Sequence, residues 1–235
     1  MKTNQNYSGL FAVLAAAALV ATGCKSSNQS CCSMPGCMAG AATSAVQTKE
    51  SQAAMTPAEA LAELKAGNAR FVAGKPLHRD FPAQVKATAS GQYPFAVVLS
   101  CLDSRQPIEI VLDQGVGDIF SARVAGNVLD EDILGSMEFA CKISGAKLIA
   151  VIGHSNCGAI KGAIDDAQLG NLTGLLTKIK PAIAAVPAEV QPRTSQNYQF
   201  VDHVSEANIK LVMKEIRERS PVLSEMSDKG ELGIV

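Results

Sequence analysis

Three short strand-like runs, the first of them continuously apolar, constrain this chain more than any other feature. They are residues 95–100 (FAVVLS), 118–124 (DIFSARV) and 147–153 (KLIAVIG). A strand that is apolar at nearly every position, rather than at every second one, is buried on both faces, as in a parallel sheet covered by helices on either side. Between the second and third runs, residues 130–144 carry Ile133, Leu134, Met137, Phe139 and Ala140 at helical spacings. Residues 172–185 and 198–219 read as later helices. Upstream, Thr56-Pro57-Ala58-Glu59 is a capping box with proline at the first helical position. Leu61, Leu64, Phe71 and Val72 give that helix an apolar face, interrupted by Asn68, up to the Gly74-Lys75-Pro76 stop. A weaker helix is expected over 82–89. The expectation is an α/β fold with a mainly parallel central sheet flanked by helices and an N-terminal helical arm. At 47% apolar and 18% charged residues, the composition supports a sizeable core.

Ligand sites of open parallel sheets sit at the carboxyl ends of the strands. Two reactive clusters fall there. Cys101-Leu102-Asp103-Ser104-Arg105 follows the first run, and His154-Ser155-Asn156-Cys157-Gly158 follows the third. Two thiols and an imidazole form a soft ligand set that zinc takes readily. His154 and Cys157 are three apart, so a turn that starts a helix presents both to one metal, and Cys101 completes the set. Water or Asp103 takes the fourth position. Water there is the pattern of a catalytic zinc, and a fourth protein ligand that of a structural one. Each motif alone is a weak signal, because a buried cysteine is often only a small hydrophobe. Their coincidence at two strand ends is what points to a metal.

With these residues in place, residues 56–235 resemble a β-class carbonic anhydrase. The resemblance rests on CLDSR at 101–105 and HSNCG at 154–158, supported by GQYP at 91–94, GDIFSARVAGN at 117–127 and GSMEFAC at 135–141. It implies reversible hydration of CO2 to bicarbonate by a zinc-bound hydroxide. It implies one zinc per chain on Cys101, His154 and Cys157, and an acid–base dyad of Asp103 and Arg105. Arg105 holds Asp103, which accepts a hydrogen bond from zinc-bound water; in some members at lower pH this aspartate swings onto the metal as a fourth ligand. Gln92 is implied as a donor to bicarbonate, the Gly158 N–H as an oxygen-binding donor, and Phe120 as an apolar wall often supplied across a dimer interface. A homodimer or tetramer is implied. Two thiolates neutralise the zinc charge and make it a weaker Lewis acid, which gives the Asp103 hydrogen bond an orienting task. An apolar pocket with one or two directed donors suits CO2.

Three departures from the family pattern bear on these expectations. Phe139 stands where many plant-type members have tyrosine. Val98 occupies the place of a tryptophan that builds an allosteric bicarbonate site in some bacterial members, and the chain has no Trp, so no such site is expected. Family members also continue beyond the point matching Val235 with a segment that helps dimerisation, so the C-terminus is expected to be truncated. Two other readings use the same scaffold. One is a non-catalytic zinc protein with a closed site of two cysteines, a histidine and an aspartate, against which Arg105 argues. The other is a hydrolase of a CO2 analogue such as carbon disulfide.

The first 55 residues read differently. Residues 11–21 (FAVLAAAALVA) behind Lys2 form an apolar run too short to span a bilayer and suited to a signal peptide. Ala21-Thr22-Gly23-Cys24 resembles the lipobox of bacterial lipoproteins, although Ala21 stands where leucine is usual. That resemblance implies a signal peptide over 1–23, lipidation at Cys24, and a periplasmic or cell-envelope protein that meets the membrane only through its lipid anchor. An ordinary secretory signal cut near Ala21 is the alternative. Residues 24–55 read as a flexible tether. Its Cys31, Cys32 and Cys37 lack zinc-finger spacings and a nearby histidine, and an exported compartment would oxidise them. A net charge of −1 lacks the basic excess of a nucleic-acid binder. His78 and His203 are weighed as proton shuttles and read as surface or interface histidines, and Cys141 reads as core. Ser104 and Ser155 lack the partners of a serine nucleophile.

Overall fold

The computed structural model describes Thr43 and residues 45–235. The expected signal peptide, Cys24, Cys31, Cys32 and Cys37 lie outside the described residues. The three runs form strands β1 (Ala96–Ser100), β2 (Ile119–Arg123) and β3 (Leu148–Ile152), of which β2 is only half-buried, and β4 (Gly233–Ile234) joins them. All pairings are parallel, in the order β2-β1-β3-β4. Along the chain the helices are α1 (Lys49–Ala54), α2 (Pro57–Val72), α3 (Phe81–Ala87), α4 (Ile108–Val111), α5 (Glu131–Glu138), α6 (Gly158–Ile164), α7 (Gly170–Thr177), α8 (Lys180–Ala185), α9 (Tyr198–Arg219) and α10 (Pro221–Asp228).

The central strands are continuously apolar because both faces are covered. Ala96, Val98, Leu148 and Ala150 face Ala60 and Leu64 of α2 and Ile108 of α4. Val97, Leu99, Ile149 and Val151 face Leu134 and Met137 of α5, Val212 and Ile216 of α9, and Leu223 of α10. Burying each large aliphatic side chain contributes about 1.5–3 kcal/mol, so these two layers fix where β1 and β3 end. A third cluster beyond the strand ends gathers Val128, Ile160, Ile179, Phe200 and Val204 around Cys101 and Cys157.

Several boundaries differ from the sequence expectation. The end of the expected tether is ordered: Thr48 and Ser51 cap α1 reciprocally, and buried Gln52 donates from Nε2 to the Pro94 and Ser144 carbonyls, both at 2.7 Å. A polar side chain makes this anchor, so no apolar period announced it. In α2 the buried face runs Ala60, Leu64, Gly67. Asn68 belongs to the packing side and donates to the Val111 carbonyl at 3.0 Å, while Phe71 and Val72 turn outward. Gly67 is required because a Cβ there would meet the Leu112 carbonyl oxygen at 1.8 Å. The helix expected over 130–144 is α5 followed by a π-helical turn, Phe139–Ile143. The helix expected over 172–185 is two, because Pro181 supplies no N–H and starts α8 anew. Unexpected α10 is capped by Ser220, whose Oγ accepts from Leu223 N at 3.2 Å, and starts with Pro221.

The arm is fastened by a buried charge. Asp113 accepts from Arg70 Nε at 2.5 Å, from the Arg79 guanidinium and from Leu77 N at 3.2 Å. Burial pushes its carboxyl up, but the two guanidinium groups outweigh burial and hold it below the ordinary carboxylate range. No helix among the described residues is long and apolar enough to cross a membrane.

Candidate metal centre

β1 and β3 are neighbours in register, with Ser100 opposite Ile152, so the residues after them leave the sheet side by side. Cys101 follows β1 directly, His154 lies two residues past β3, and Cys157 caps α6. Both sulfurs and an imidazole nitrogen lie within 4.8 Å of one another. The sulfurs are 3.9 Å apart. A tetrahedral zinc with Zn–S bonds of about 2.3 Å sets its sulfurs about 3.8 Å apart. His154 Nδ1 lies 2.9 Å from the Ser155 carbonyl oxygen, which can only accept, so the proton sits on Nδ1. Nε2 is left with its lone pair, buried and without a hydrogen-bond partner. These donors fit a zinc ion, and the Ser155 carbonyl is the outer partner that orients such a ligand.

The thiol pair is electrically poised for a cation. The Cys101 thiol falls to about 4, chiefly through the hydrogen bond it shares with Cys157 and despite burial, with help from the N–H groups of Gly126 and Asp103. Cys157 is pushed up by that same hydrogen bond and by burial. One thiolate therefore forms readily, and a divalent cation supplies what is needed to draw off the second proton.

Asp103 sits beside this cluster. Arg105 grips its carboxylate with Nε to Oδ1 at 2.9 Å and Nη2 to Oδ2 at 2.8 Å, and Arg105 N also donates to Oδ1 at 2.9 Å. These bonds hold the carboxyl well below the usual range. Oδ2 lies 3.9 Å from His154 Nε2. The carboxylate thus borders the donor set while both its oxygens are engaged by Arg105.

Residues outside the two motifs hold both loops. Arg123, at the end of β2, donates from Nε to the Cys101 carbonyl at 3.1 Å and from Nη2 to the Asp103 carbonyl at 2.6 Å. Gly126 N donates to Cys101 Sγ at 3.4 Å. Gly126 has φ +67, and a Cβ there would meet Ile179 Cδ1 at 2.8 Å. Its carbonyl accepts from buried Asn208 Nδ2 at 2.8 Å. On the other loop, Ser205 Oγ of α9 donates to the His154 carbonyl at 3.3 Å. Asn156, at φ +56, donates its N–H to Asp202 Oδ1 at 3.4 Å. Sequence reasoning missed Arg123, Gly126, Asp202, Ser205 and Asn208 as site residues. The Ala-Gly-Asn turn directly after a strand was the one local signal, since glycine after a strand marks close backbone approach.

The remaining expected site residues lie apart. Gly158 opens α6 beside Cys157 and is exposed, and as a first-turn residue its N–H has no intrahelical acceptor. Gln92 and Phe120 are not brought to the cluster within the chain. Gln92 precedes β1, whereas Cys101 follows it, so a strand length of about 16 Å separates them. Phe120 pairs with Val97, three positions back from the Ser100–Arg123 level where the metal end begins. It stacks edge-to-face on Phe139, with ring centroids 6.4 Å apart. His78 is exposed, and His203 Nδ1 lies 3.9 Å from Glu206 on α9. Cys141 is core, its thiol pushed up to about 12 by burial.

The sequence family described as carbonic anhydrase matches residues 96–235. The chain is 37% identical over 180 residues to carbonic anhydrase 2 of Mycobacterium tuberculosis, across 76% of this chain and 86% of that protein. It is 43% identical over 133 residues to a carbonic anhydrase of Mycolicibacterium smegmatis, across 54% of this chain and 65% of the other. Among solved structures, the β-carbonic anhydrase CafA of Aspergillus fumigatus superposes with a TM-score of 0.58 at 27% identity, covering 75% of this chain and 82% of that one. Paired strand-end motifs, the donor cluster they form and these relatives agree: the chain belongs to the β-class carbonic anhydrase family.

Proposed function

We propose that the chain interconverts CO2 and bicarbonate at a zinc held by Cys101, His154 and Cys157, with Asp103 and Arg105 handling the attacking water. The observation that carries this reading is the bare, buried His154 Nε2 grouped with two sulfurs, beside a carboxylate that Arg105 holds to one side. Zinc there supplies the Lewis acidity that brings water toward ionisation at neutral pH, to about 7 in the histidine-ligated carbonic anhydrases for which that figure is known. Asp103 Oδ2 accepts a hydrogen bond from the attacking water and turns its lone pair toward CO2. Arg105 keeps Asp103 ionised, so the carboxylate relays the released proton onward to buffer rather than storing it. The Gly158 N–H gives a donor for a product oxygen. With both Asp103 oxygens on Arg105, the arrangement favours the catalytic reading over a closed site in which the aspartate joins the two cysteines and the histidine.

Gln92 and Phe120 join this pocket only if a second copy supplies them. The edge strand β2 is unpaired on its outer side among the described residues, and half-exposed Phe139 stacks on its Phe120. That edge supports a homodimer, or a tetramer of two such dimers, with substrate residues crossing the interface. For the N-terminal residues, the proposal is export behind a signal peptide over 1–23, lipid attachment at Cys24, and a cell-envelope location where external CO2 and bicarbonate are exchanged. Its support is the apolar run and the Ala-Thr-Gly-Cys sequence. Radiolabelled palmitate entering wild type but not Cys24→Ala tests that part; equal labelling would contradict it.

For the central reaction, stripping metal with a chelator should abolish CO2 hydration, and restoring one zinc per chain should recover it. Full activity in the stripped protein, or none with zinc restored, would count against the reading.

A further inference from the structure

Arg123 belongs to neither metal-site motif, yet it touches the backbone of one of them twice. It ends β2 in register with Ser100, the last residue of β1. Its side chain therefore starts at the level where β1 gives way to the Cys101–Arg105 loop. Nε reaches the Cys101 carbonyl at 3.1 Å, and Nη2 the Asp103 carbonyl at 2.6 Å. One planar group thus spans alternate carbonyls of the segment that carries both a metal donor and the dyad carboxylate. Among the described residues no carboxylate lies within 4.0 Å of Arg123, so these carbonyls are what its guanidinium serves.

The position of this backbone decides what Asp103 does. Oδ2 stands 3.9 Å from His154 Nε2. Two donors each about 2.0–2.2 Å from a tetrahedral zinc stand about 3.4 Å apart, so a small inward shift of the loop turns a neighbouring carboxylate into a ligand. Arg105 restrains the Asp103 side chain, but it sits on the same loop and would travel with it. Arg123 is on a different strand, anchored in the sheet, and fixes the loop from outside. We propose that Arg123 is a positioning residue that clamps the Cys101–Arg105 loop and so keeps Asp103 paired with Arg105 instead of bound to the metal. This rests on the zinc-site reading above. Lysine keeps the charge but offers one compact ammonium in place of a planar fork, so it cannot span the two carbonyls in the same way.

The test uses the full chain loaded with cobalt(II), whose visible spectrum reports the ligand set, titrated with thiocyanate as a probe of the fourth position. Wild type should bind thiocyanate with a spectral change. Arg123→Ala and Arg123→Lys should each bind it at least tenfold more weakly, because Asp103 occupies the position. In an Asp103→Ala background the same Arg123 substitutions should leave thiocyanate affinity unchanged. Wild-type affinity in Arg123→Lys would overturn the proposal, as would equal weakening with and without Asp103. Loss of cobalt from both Arg123 variants would also overturn it, since a clamp acting through Asp103 leaves the three donors in place. Absence of thiolate-to-cobalt bands from wild type itself would instead contradict the metal-site reading on which the clamp depends.

Discussion

A buried sulfur pair 3.9 Å apart, faced by an imidazole nitrogen with no hydrogen bond, is a donor set that could hold a metal ion. Around it, each neighbour has a definable task. The Ser155 carbonyl fixes the tautomer of His154, the Gly126 N–H supports the Cys101 thiolate, and Arg105 keeps Asp103 charged. Asp103→Asn should keep its zinc but lower kcat by about 100-fold, with KM little changed, because it removes a hydrogen-bond acceptor for the attacking water rather than a substrate contact. Stopped-flow assays with zinc analysis on the same sample check this, and zinc loss would assign Asp103 to the ligand set. Gly126→Ala places a side chain at φ +67, costing about 1–2 kcal/mol, and drives its Cβ into Ile179. The melting temperature and the zinc affinity, read by competition with a chelator, should both fall. An unchanged affinity would mean that the Gly126 N–H bond to sulfur contributes nothing. These supporting residues were hard to read in the sequence. The ligands announced themselves as rare residue types at strand ends, whereas Arg123, Ser205 and Asp202 act through backbone groups on distant segments.

At the scale of elements, the sheet was legible because β1 and β3 are sandwiched between two apolar layers and show no alternation. The helices were legible where a long apolar stripe marked them, as after Thr56. Those held by polar anchors were not: α1 depends on Gln52, and the second half of α2 on Asn68. The arm also depends on Asp113, whose net pKa is depressed by Arg70 and Arg79 despite burial. A carboxyl depressed in the folded state stabilises fully above its unfolded value, about 3.9. That stability is lost as pH falls through the folded value. Asp113→Asn should therefore show a shallower loss of stability between pH 5 and pH 2 than wild type. At pH 7 it should be less stable by on the order of 3 kcal/mol, the low end for breaking a buried pair, because Arg70 is about a quarter exposed. Urea titrations at several pH values measure both, and matching curves at pH 7 would contradict the anchoring role.

At the scale of the molecule, one chain carries the metal donors at one end of its sheet and Gln92 at the other, with Phe120 part of the way along. The sequence motifs singled out all of these residues as candidates for one site, without showing that a strand length divides them. If a second copy supplies Gln92, two crippled chains can repair each other. A mixture of Gln92→Ala and Cys157→Ala chains, unfolded and refolded together, should regain CO2 hydration that neither shows alone. No recovery, with mixed dimers demonstrated, would place Gln92 outside the shared pocket. Hydration of CO2 at a zinc held by this chain is checked by stopped-flow kinetics across a range of pH, with zinc content measured on each sample. Turnover should depend on zinc, rise with pH and disappear in Cys157→Ala. Zinc bound at one per chain without turnover at any pH, or turnover that survives Cys157→Ala, would contradict it.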